Sequence, residues 1–257
     1  MKTKINAAAG LLAFLASVSV SLGAWAPVGV GFINDAKTGS KEAGFPARDD
    51  SVYGFRLGFY CAANAKMYGL SVSTLGNGLF GQGSAFSDGD IAGIQVAGLF
   101  NDAASAKFGA WQIAGLWNEL RNESTAVQIA GFANVSSGNS LTGAQFAGVF
   151  NQVKDLRGLQ IAGVVNLADD VSGVQIAGLA NVVDHDMSGL QIGAINNVQG
   201  TLSGIQIGVI NYARWAGGVQ IGAFNVVGSD FSGVQLGAFN TWETADAYTI
   251  PFLRIFF

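Results

Sequence analysis

The sequence predicts an all-β repeat protein, a parallel β-solenoid of about twelve short coils. A block of the form G-h-Q-h-(A)-G-h-h-N, in which h is apolar, recurs ten times between Gly93 and Asn240. Successive glutamines are 14 to 17 residues apart, which is too short for helix-pair repeats of about 33 residues or leucine-rich repeats of about 20. The 37 glycines also disfavour helix, by about 1 kcal/mol at each helical position. Each unit therefore has room only for short strands and turns.

The N-terminal segment is expected to direct export. Two lysines precede an apolar run at 7–20, and small residues follow it around Ala24. This order is typical of a secretory signal peptide, which we place at 1–26, and cleavage after Gly23 also fits. An uncleaved membrane anchor is the alternative, although the apolar run is short for a bilayer span. The protein is therefore expected at the cell surface, in the outer membrane or outside the cell.

The repeats do not begin in regular form. Arg56 and Ser71 stand where later copies have glutamine, and a glycine-rich insertion separates them from the regular array. Divergence is expected in a first unit, because it meets solvent instead of a neighbouring unit. The predicted regions are the signal peptide (1–26), an N-terminal strand and loop (27–51), the tandem repeats (52–242, with divergent units at 52–92 and the regular array at 93–242), and a C-terminal aromatic segment (243–257).

The position of one deletion predicts the shape of each coil. In the first six regular copies the asparagine follows the glutamine by six residues, and in the last four by five, because the alanine of Ala-Gly is missing. A deletion within a strand would turn every later side chain to the opposite face, whereas a corner tolerates it. Ala-Gly, or Gly alone, is therefore predicted to be a bend between two short strands.

The glutamines and asparagines are predicted to form amide ladders along the solenoid axis. Equivalent residues of stacked coils lie about 4.8 Å apart, a spacing at which amides hydrogen-bond from coil to coil. The apolar column that contains Val174, Ile176 and Leu179 is expected to fill the interior, and charged residues occupy the links. The predicted ladder residues are Gln95, Gln112, Gln128, Gln145, Gln160, Gln175, Gln191, Gln206, Gln220, Gln235, Asn101, Asn118, Asn134, Asn151, Asn166, Asn181, Asn196, Asn211, Asn225 and Asn240.

An antiparallel transmembrane β-barrel is the alternative fold. Uncharged stretches of about ten residues between charged links also suit membrane strands, and the chain ends in an aromatic segment. That segment is a closing strand in the barrel. In the solenoid it is a cap. Arg254 is then expected to face water, and the side chains expected to cover the last coil are Phe252, Leu253, Ile255, Phe256 and Phe257. A barrel's hairpins would repeat about every 30 residues rather than every 15, which favours the solenoid.

The run of GVQIGAFN-like units resembles the bacterial surface-repeat proteins, which are envelope or secreted proteins built from GLQIGLIN-type units. The resemblance extends over 52–257, including the divergent first unit VYGFRLGFY and the apolar C-terminal segment IPFLRIFF. It implies a surface or envelope setting and implies no activity.

Chemistry-bearing motifs are absent from the sequence. His185 is the single histidine and Cys61 the single cysteine, and no nucleophile, phosphate-loop or dinucleotide motif occurs. We therefore expect no catalytic, cofactor-binding or metal-binding residues, no cofactor, and no nucleic-acid partner, since a basic stripe is lacking.

The expected function is that of a non-enzymatic secreted or envelope protein with a structural, adhesion or interaction role. Its partner is not specified by the sequence, and envelope components, glycans, other surface proteins and the outer membrane stay open. An outer-membrane barrel that serves as a pore or anchor is the alternative, and a polysaccharide-acting enzyme is a remote one.

Overall fold

The computed structural model describes residues 25–31, 44–45, 51–58, 61–62, 66–77, 90–243 and 248–256. These residues form one continuous sheet that winds into a parallel β-solenoid of about eleven turns, without a helix in the described part of the chain. The strands are β1 (Trp25–Gly31), β2 (Gly44–Phe45), β3 (Ser51–Gly58), β4 (Cys61–Ala62), β5 (Lys66–Ser73), β6 (Gly76–Asn77), β7 (Asp90–Ala97), β8 (Phe100–Ala103), β9 (Ser105–Ala106), β10 (Ala110–Ala114), β11 (Trp117–Leu120), β12 (Ser124–Ala130), β13 (Ala133–Ala147), β14 (Phe150–Ala162), β15 (Val165–Ala177), β16 (Ala180–Val183), β17 (Met187–Ile192), β18 (Ile195–Ile207), β19 (Ile210–Ile221), β20 (Phe224–Val227), β21 (Phe231–Trp242) and β22 (Tyr248–Phe256).

Two sequence-based expectations concern the membrane and the N-terminus. Residues 1–24 of the predicted signal peptide lie outside the described residues. Among the residues that are described, no helix has the length and apolar character needed to span a bilayer.

Neighbouring coils pair in parallel and in register. Gln175 in β15 is aligned with Gln160 in β14 on one side and with Gln191 in β17 on the other. The same column continues through the divergent N-terminal coils into Ser71 and Arg56, so twelve stacked positions give about eleven turns. This pairing confirms the solenoid and excludes the antiparallel alternative. Among the described strands, antiparallel pairing occurs only between β1 and β2 and between β21 and β22.

The bend between the two strands of a coil contains the predicted glycine but not the predicted alanine. In a long coil, β15 ends at Ala177 and β16 begins at Ala180, so the bend follows the alanine. In a short coil, β17 ends at Ile192 and β18 begins at Ile195, so the deletion shortens the strand and leaves a bend of equal length. A Cβ added to Gly193 in that bend would lie 2.8 Å from Nδ2 of Asn181. The short bend passes directly over the asparagine side chains, so only glycine fits there.

The interior differs from the predicted apolar filling. Val174 and Ile176 are partly exposed on the outside, and Leu179 is 49% exposed. Gln175, which lies between the first two, and Asn181 are fully buried. The expectation of an apolar column inside at these positions is wrong. Successive side chains of a strand point to opposite faces, so burial of the glutamine turns both of its apolar neighbours outward.

Aliphatic residues do occupy part of the interior, at positions further along each coil. Leu156, Val171, Met187 and Leu202 stack in one buried column before the glutamine strands. Val153, Ala168, Val183 and Val198 form a second buried column after the asparagines. Burial of each large aliphatic side chain stabilises the fold by about 1.5–3 kcal/mol. The core is therefore half aliphatic and half amide.

Strand β22 covers the edge of the last coil. It pairs antiparallel with β21 and aligns Arg254 with Gln235. Arg254 is only 3% exposed, whereas Phe252 is 79% and Ile255 49% exposed. The cap is present, but its predicted orientation is wrong, because the register places Arg254 on the buried glutamine column and its neighbours outside. β22 thus pairs with the backbone groups of β21, which would otherwise be exposed at the edge of the sheet.

Removal of one complete unit, residues 173–188, should leave a folded protein. Gly173 aligns with Gly158 and with Gly189 in the adjacent coils, so the deletion brings Gly189 into register with Gly158. Each coil contacts mainly its neighbours, and the shortened chain should keep its β circular dichroism and unfold cooperatively.

Deletion of half a unit, residues 173–180, is the matched control. It places an asparagine strand where a glutamine strand must pair, so the cooperative transition should be lost. Equal behaviour of the two deletions would contradict the nearest-neighbour stacking of the coils.

Candidate functional site

The buried glutamines form a continuous hydrogen-bonded ladder. Nε2 of Gln175 donates to Oε1 of Gln160 at 2.8 Å, and Oε1 of Gln175 accepts from Nε2 of Gln191 at 2.9 Å. The same bond links every neighbouring pair from Gln95 to Gln235. A buried amide without a partner destabilises a protein by about 1–3 kcal/mol. The ladder avoids this penalty at each coil.

The asparagines form a second ladder that runs in the opposite direction. Nδ2 of Asn166 donates to Oδ1 of Asn181 in the next coil at 2.9 Å, and it also donates to the carbonyl oxygen of Ile176 at 2.8 Å. The ladder extends from Asn77 to Asn240. Each asparagine therefore binds its neighbour and also satisfies a backbone carbonyl beside the bend, where the strand stops.

The opposite directions of the ladders have an electrostatic consequence. Glutamine side chains donate toward the N-terminal coils, and asparagine side chains donate toward the C-terminal coils. Within each ladder the aligned amides polarise one another and strengthen the bonds. Because the two rows of dipoles oppose each other, the interior does not build up a net dipole of the kind that aligned peptides give a helix.

The N-terminal end of the asparagine ladder was not predicted. Asn77 lies outside the regular array, yet it donates to Oδ1 of Asn101 at 2.7 Å. Its own Oδ1 accepts hydrogen bonds from Ser71 at 2.7 Å and from Ser73 at 2.9 Å. The divergent unit that ends at Asn77 keeps the asparagine of the motif. Because Ser71 stands where later units have glutamine, the sequence pattern did not show that the asparagine ladder begins there.

Arginines occupy both ends of the glutamine column. Arg56, which is 5% exposed, aligns with Ser71 at one end, and Arg254 aligns with Gln235 at the other. Oε1 of Gln235 is the acceptor end of the ladder and accepts no hydrogen bond from the described residues. A guanidinium carries donors only, so its charge complements that acceptor end.

Two aromatic rings hold Arg254 in place. Its Cζ lies 5.2 Å from the ring centroid of Trp242 and 5.8 Å from that of Phe231. These distances are within the range of a cation–π interaction. The buried charge at the end of the solenoid therefore rests against ring faces.

The outside of the glutamine strands carries an uncharged apolar surface. We define the Gln-strand face as the residues immediately before and after each ladder glutamine, together with those that flank Arg56 and Ser71. All of these residues are apolar. Several are well exposed, including Trp111 at 44%, Ile207 at 38% and Leu236 at 41%. This face runs along all twelve stacked positions.

The outside of the asparagine strands is mixed in character and uneven. We define the Asn-strand face as the two residues before and the one residue after each ladder asparagine. The residues before the asparagines are apolar and vary in size, and they include stacked rings such as Phe224 and Phe239, 5.1 Å apart. The residues after the asparagines include the acidic pair Asp102 and Glu119.

The links form the polar side of the solenoid. An open groove of about 430 Å³ there is lined by Asp155, Asp170 and Asp186 in successive coils. Oδ1 of Asp170 accepts from the backbone N–H of Asp186, and Oδ1 of Asp186 accepts from that of Thr201. These carboxylates hold the links to each other. His185 is well exposed, with Nδ1 3.6 Å from Oδ2 of Asp170, and no group of three or more metal-ligating side chains occurs among the described residues.

Asp102, in β8, has an altered acidity. It is mostly buried beside Arg121, with which it forms an ion pair, and Glu119 lies next to the same arginine. Burial raises the pKa of Asp102 to about 6, although the charge of Arg121 opposes the rise and that of Glu119 adds to it.

Comparisons with known protein families, with characterised proteins and with solved structures give no match for this chain.

Replacement of Gln175 with glutamate should lower the free energy of unfolding by about 3 kcal/mol. A carboxylate cannot donate to Oε1 of Gln160, and its charge would be fully buried between two amides. The control is Gln152→Glu, the same chemical change on an exposed side chain of β14, which should alter stability by less than about 0.5 kcal/mol. Urea denaturation measures both. Equal losses would show that stability does not depend on the ladder.

Asp102 should make the stability depend on pH. Its pKa is about 6 in the folded protein and 3.8 in the reference state, so folding favours the protonated carboxyl. The contribution of Asp102 is full below pH 3.8 and is lost as the pH rises through 6. Wild type should therefore lose stability between pH 4 and pH 6.5 relative to Asp102→Asn. Denaturation at several pH values measures this, and parallel profiles of the two proteins would contradict it.

Proposed function

We propose that this chain is an exported, non-enzymatic structural protein of the cell envelope or the extracellular space, which acts by presenting apolar outer faces to a partner. One observation carries the proposal. Amides fill the part of the interior where apolar residues were expected, and the apolar residues of the same strands lie outside. On soluble monomers, contiguous apolar patches seldom exceed a few hundred Å², and larger ones mark interaction sites.

The interior supports a structural role. Two amide ladders and the stacked backbone fix every coil in register with the next, so the solenoid is a rigid rod with a repeat of about 4.8 Å. Between their ends, the ladders give each buried side-chain amide a partner in the neighbouring coil. In the variable links, carboxylates accept hydrogen bonds from backbone N–H groups of neighbouring links, as Asp170 and Asp186 do.

The setting rests on the sequence. The predicted signal peptide at 1–26 supports export, and the resemblance to the bacterial surface-repeat proteins supports a place on the cell surface. Membership of that family is part of the proposal. Within this setting, an interaction or adhesion role follows from the exposed apolar faces.

Fractionation of a bacterium that expresses the full chain tests the proposal. The wild type should be recovered with the envelope or as an exported assembly. The double variant Ile207→Lys and Leu236→Lys, two charges on the Gln-strand face, should be released as folded exported protein. The control is Ser203→Lys and Ser232→Lys, at exposed positions of the same two coils, and it should behave as the wild type.

Two results would contradict the proposal. Retention of the wild type in the cytoplasm would contradict export. Identical fractionation of the face variant and the wild type would contradict a role of the apolar face.

A further inference from the structure

We propose that the Gln-strand face is the contact between two copies of this chain, which pack face to face. The inference rests on the proposed function and names the partner of the same surface. Four properties of the face support it: its regular period, its area, its lack of charge and its contrast with the Asn-strand face.

The period makes the face complementary to itself. Every stacked position contributes one apolar residue before and one after the glutamine column, at the same spacing in both copies. The column after the glutamine is aliphatic at every position except Phe146. Two such sheets pack about 10 Å apart with their strands within about 30° of each other. Aliphatic side chains of one copy then fill the gaps between those of the other.

Glycines border the face and leave it accessible. On one side runs the column of Gly158, Gly173 and Gly189, and on the other side lie the bends with Gly178 or Gly193. The bends of the long coils also carry exposed apolar side chains, such as Leu116 and Leu179, so the apolar surface continues past the glycines on that side.

The area suits a stable dimer. Twelve positions at about 4.8 Å make the face about 58 Å long, and two columns of side chains make it about 14 Å wide. The product is about 800 Å² on each copy, or about 1,600 Å² for the pair, which is the standard size of a specific protein interface.

The charge pattern favours a second copy over a lipid surface. Between residues 90 and 243 the chain has eleven acidic and five basic residues, a net charge of −6. None of them lies on the Gln-strand face. Apolar elements that lie on membranes usually carry basic residues beside the apolar surface, which attract anionic headgroups. Here the charged links are mainly acidic, and they stand away from a face-to-face contact.

The Asn-strand face does not suit the same packing. Its side chains vary irregularly in size, from Ala133 and Ala180 to Trp117, so two copies would leave gaps. The contact would also bury Asp102 and Glu119, which lie on this face, at the cost of removing two carboxylates from water. The Gln-strand face is therefore the one that pairs.

Analytical ultracentrifugation of the exported chain tests the proposal. The wild type should sediment as a dimer at micromolar concentration. Ile207→Lys with Leu236→Lys should raise the dissociation constant at least 100-fold, because each lysine would be buried against aliphatic side chains of the other copy. Ser203→Lys with Ser232→Lys should leave it unchanged, and circular dichroism verifies the fold of each variant.

A cross-link keeps the test valid if the lysine variant fails to fold. If the two solenoids run antiparallel, the two-fold axis of a symmetric dimer crosses the column between Gln145 and Gln160. If they run parallel, the axis lies along the column. Ile161 lies close to its own copy in both arrangements. Ile161→Cys in a Cys61→Ser background should form a covalent dimer with a bis-maleimide that spans about 10 Å, because sheets packed about 10 Å apart hold the two Cα atoms too far apart for a direct disulfide. Ser172→Cys, in the link before the next glutamine strand, is the control and should form none.

Other outcomes would overturn the proposal in distinguishable ways. A wild type that stays monomeric up to about 100 µM, without the cross-link, excludes the dimer. If that monomer binds neutral phosphatidylcholine vesicles and the lysine variant does not, lipid is the partner and the proposed interaction role stands. If the lysine variant changes neither self-association nor vesicle binding nor fractionation, both proposals fail.

Discussion

The hydrogen bonds between side-chain amides of successive coils are the constraint on which the rest of the structure depends. A buried amide is tolerated only when both its donor and its acceptor are used. Here each glutamine side chain hydrogen-bonds to the glutamine of the neighbouring coil. Nε2 of Gln175, for example, lies 2.8 Å from Oε1 of Gln160. This requirement fixes the register of every coil, since a shift by one residue would leave a whole column of amides without partners.

The orientation of the other side chains follows from the amides. Alternation along the strand turns the residues on both sides of Gln175 outward, which makes the outer face apolar. The bend must be narrow enough for Asn166 and Asn181 to hydrogen-bond to each other and to the carbonyl of Ile176. In the short coils this leaves room only for glycine at Gly193. The same hydrogen bonds thus account for the glycine of the short bends and for the apolar outer surface.

The sequence allowed the period, the parallel stacking, the bend and the amide columns to be predicted, because each depends on spacing that recurs in every copy. It did not show which side of the glutamine strand faces inward. In one unit, Val174 and Ile176 are the better candidates for burial. Burial of Gln175 becomes favourable only when the neighbouring coils supply hydrogen-bond partners for its amide. That condition cannot be seen in the sequence of a single unit. The end at Arg254 depends on the antiparallel register of β22, which occurs once and leaves no periodic signal.

The ends and the sides of the solenoid differ in what they offer to other molecules. Along the axis, a stack of coils with a bare edge would continue to add strands. β22 closes that edge at the C-terminal end because it runs antiparallel, and because Arg254 occupies the glutamine column with a side chain that only donates. Growth by addition of further coils is therefore blocked at this end, and the acceptor end of the ladder meets a positive charge. Among the described residues, no strand closes the lateral faces. Their aliphatic columns repeat at every coil, so the area of each face grows with the number of repeats. In the proposed dimer, repeat number would therefore set the size of the contact, while the amide ladders fix the register of the coils.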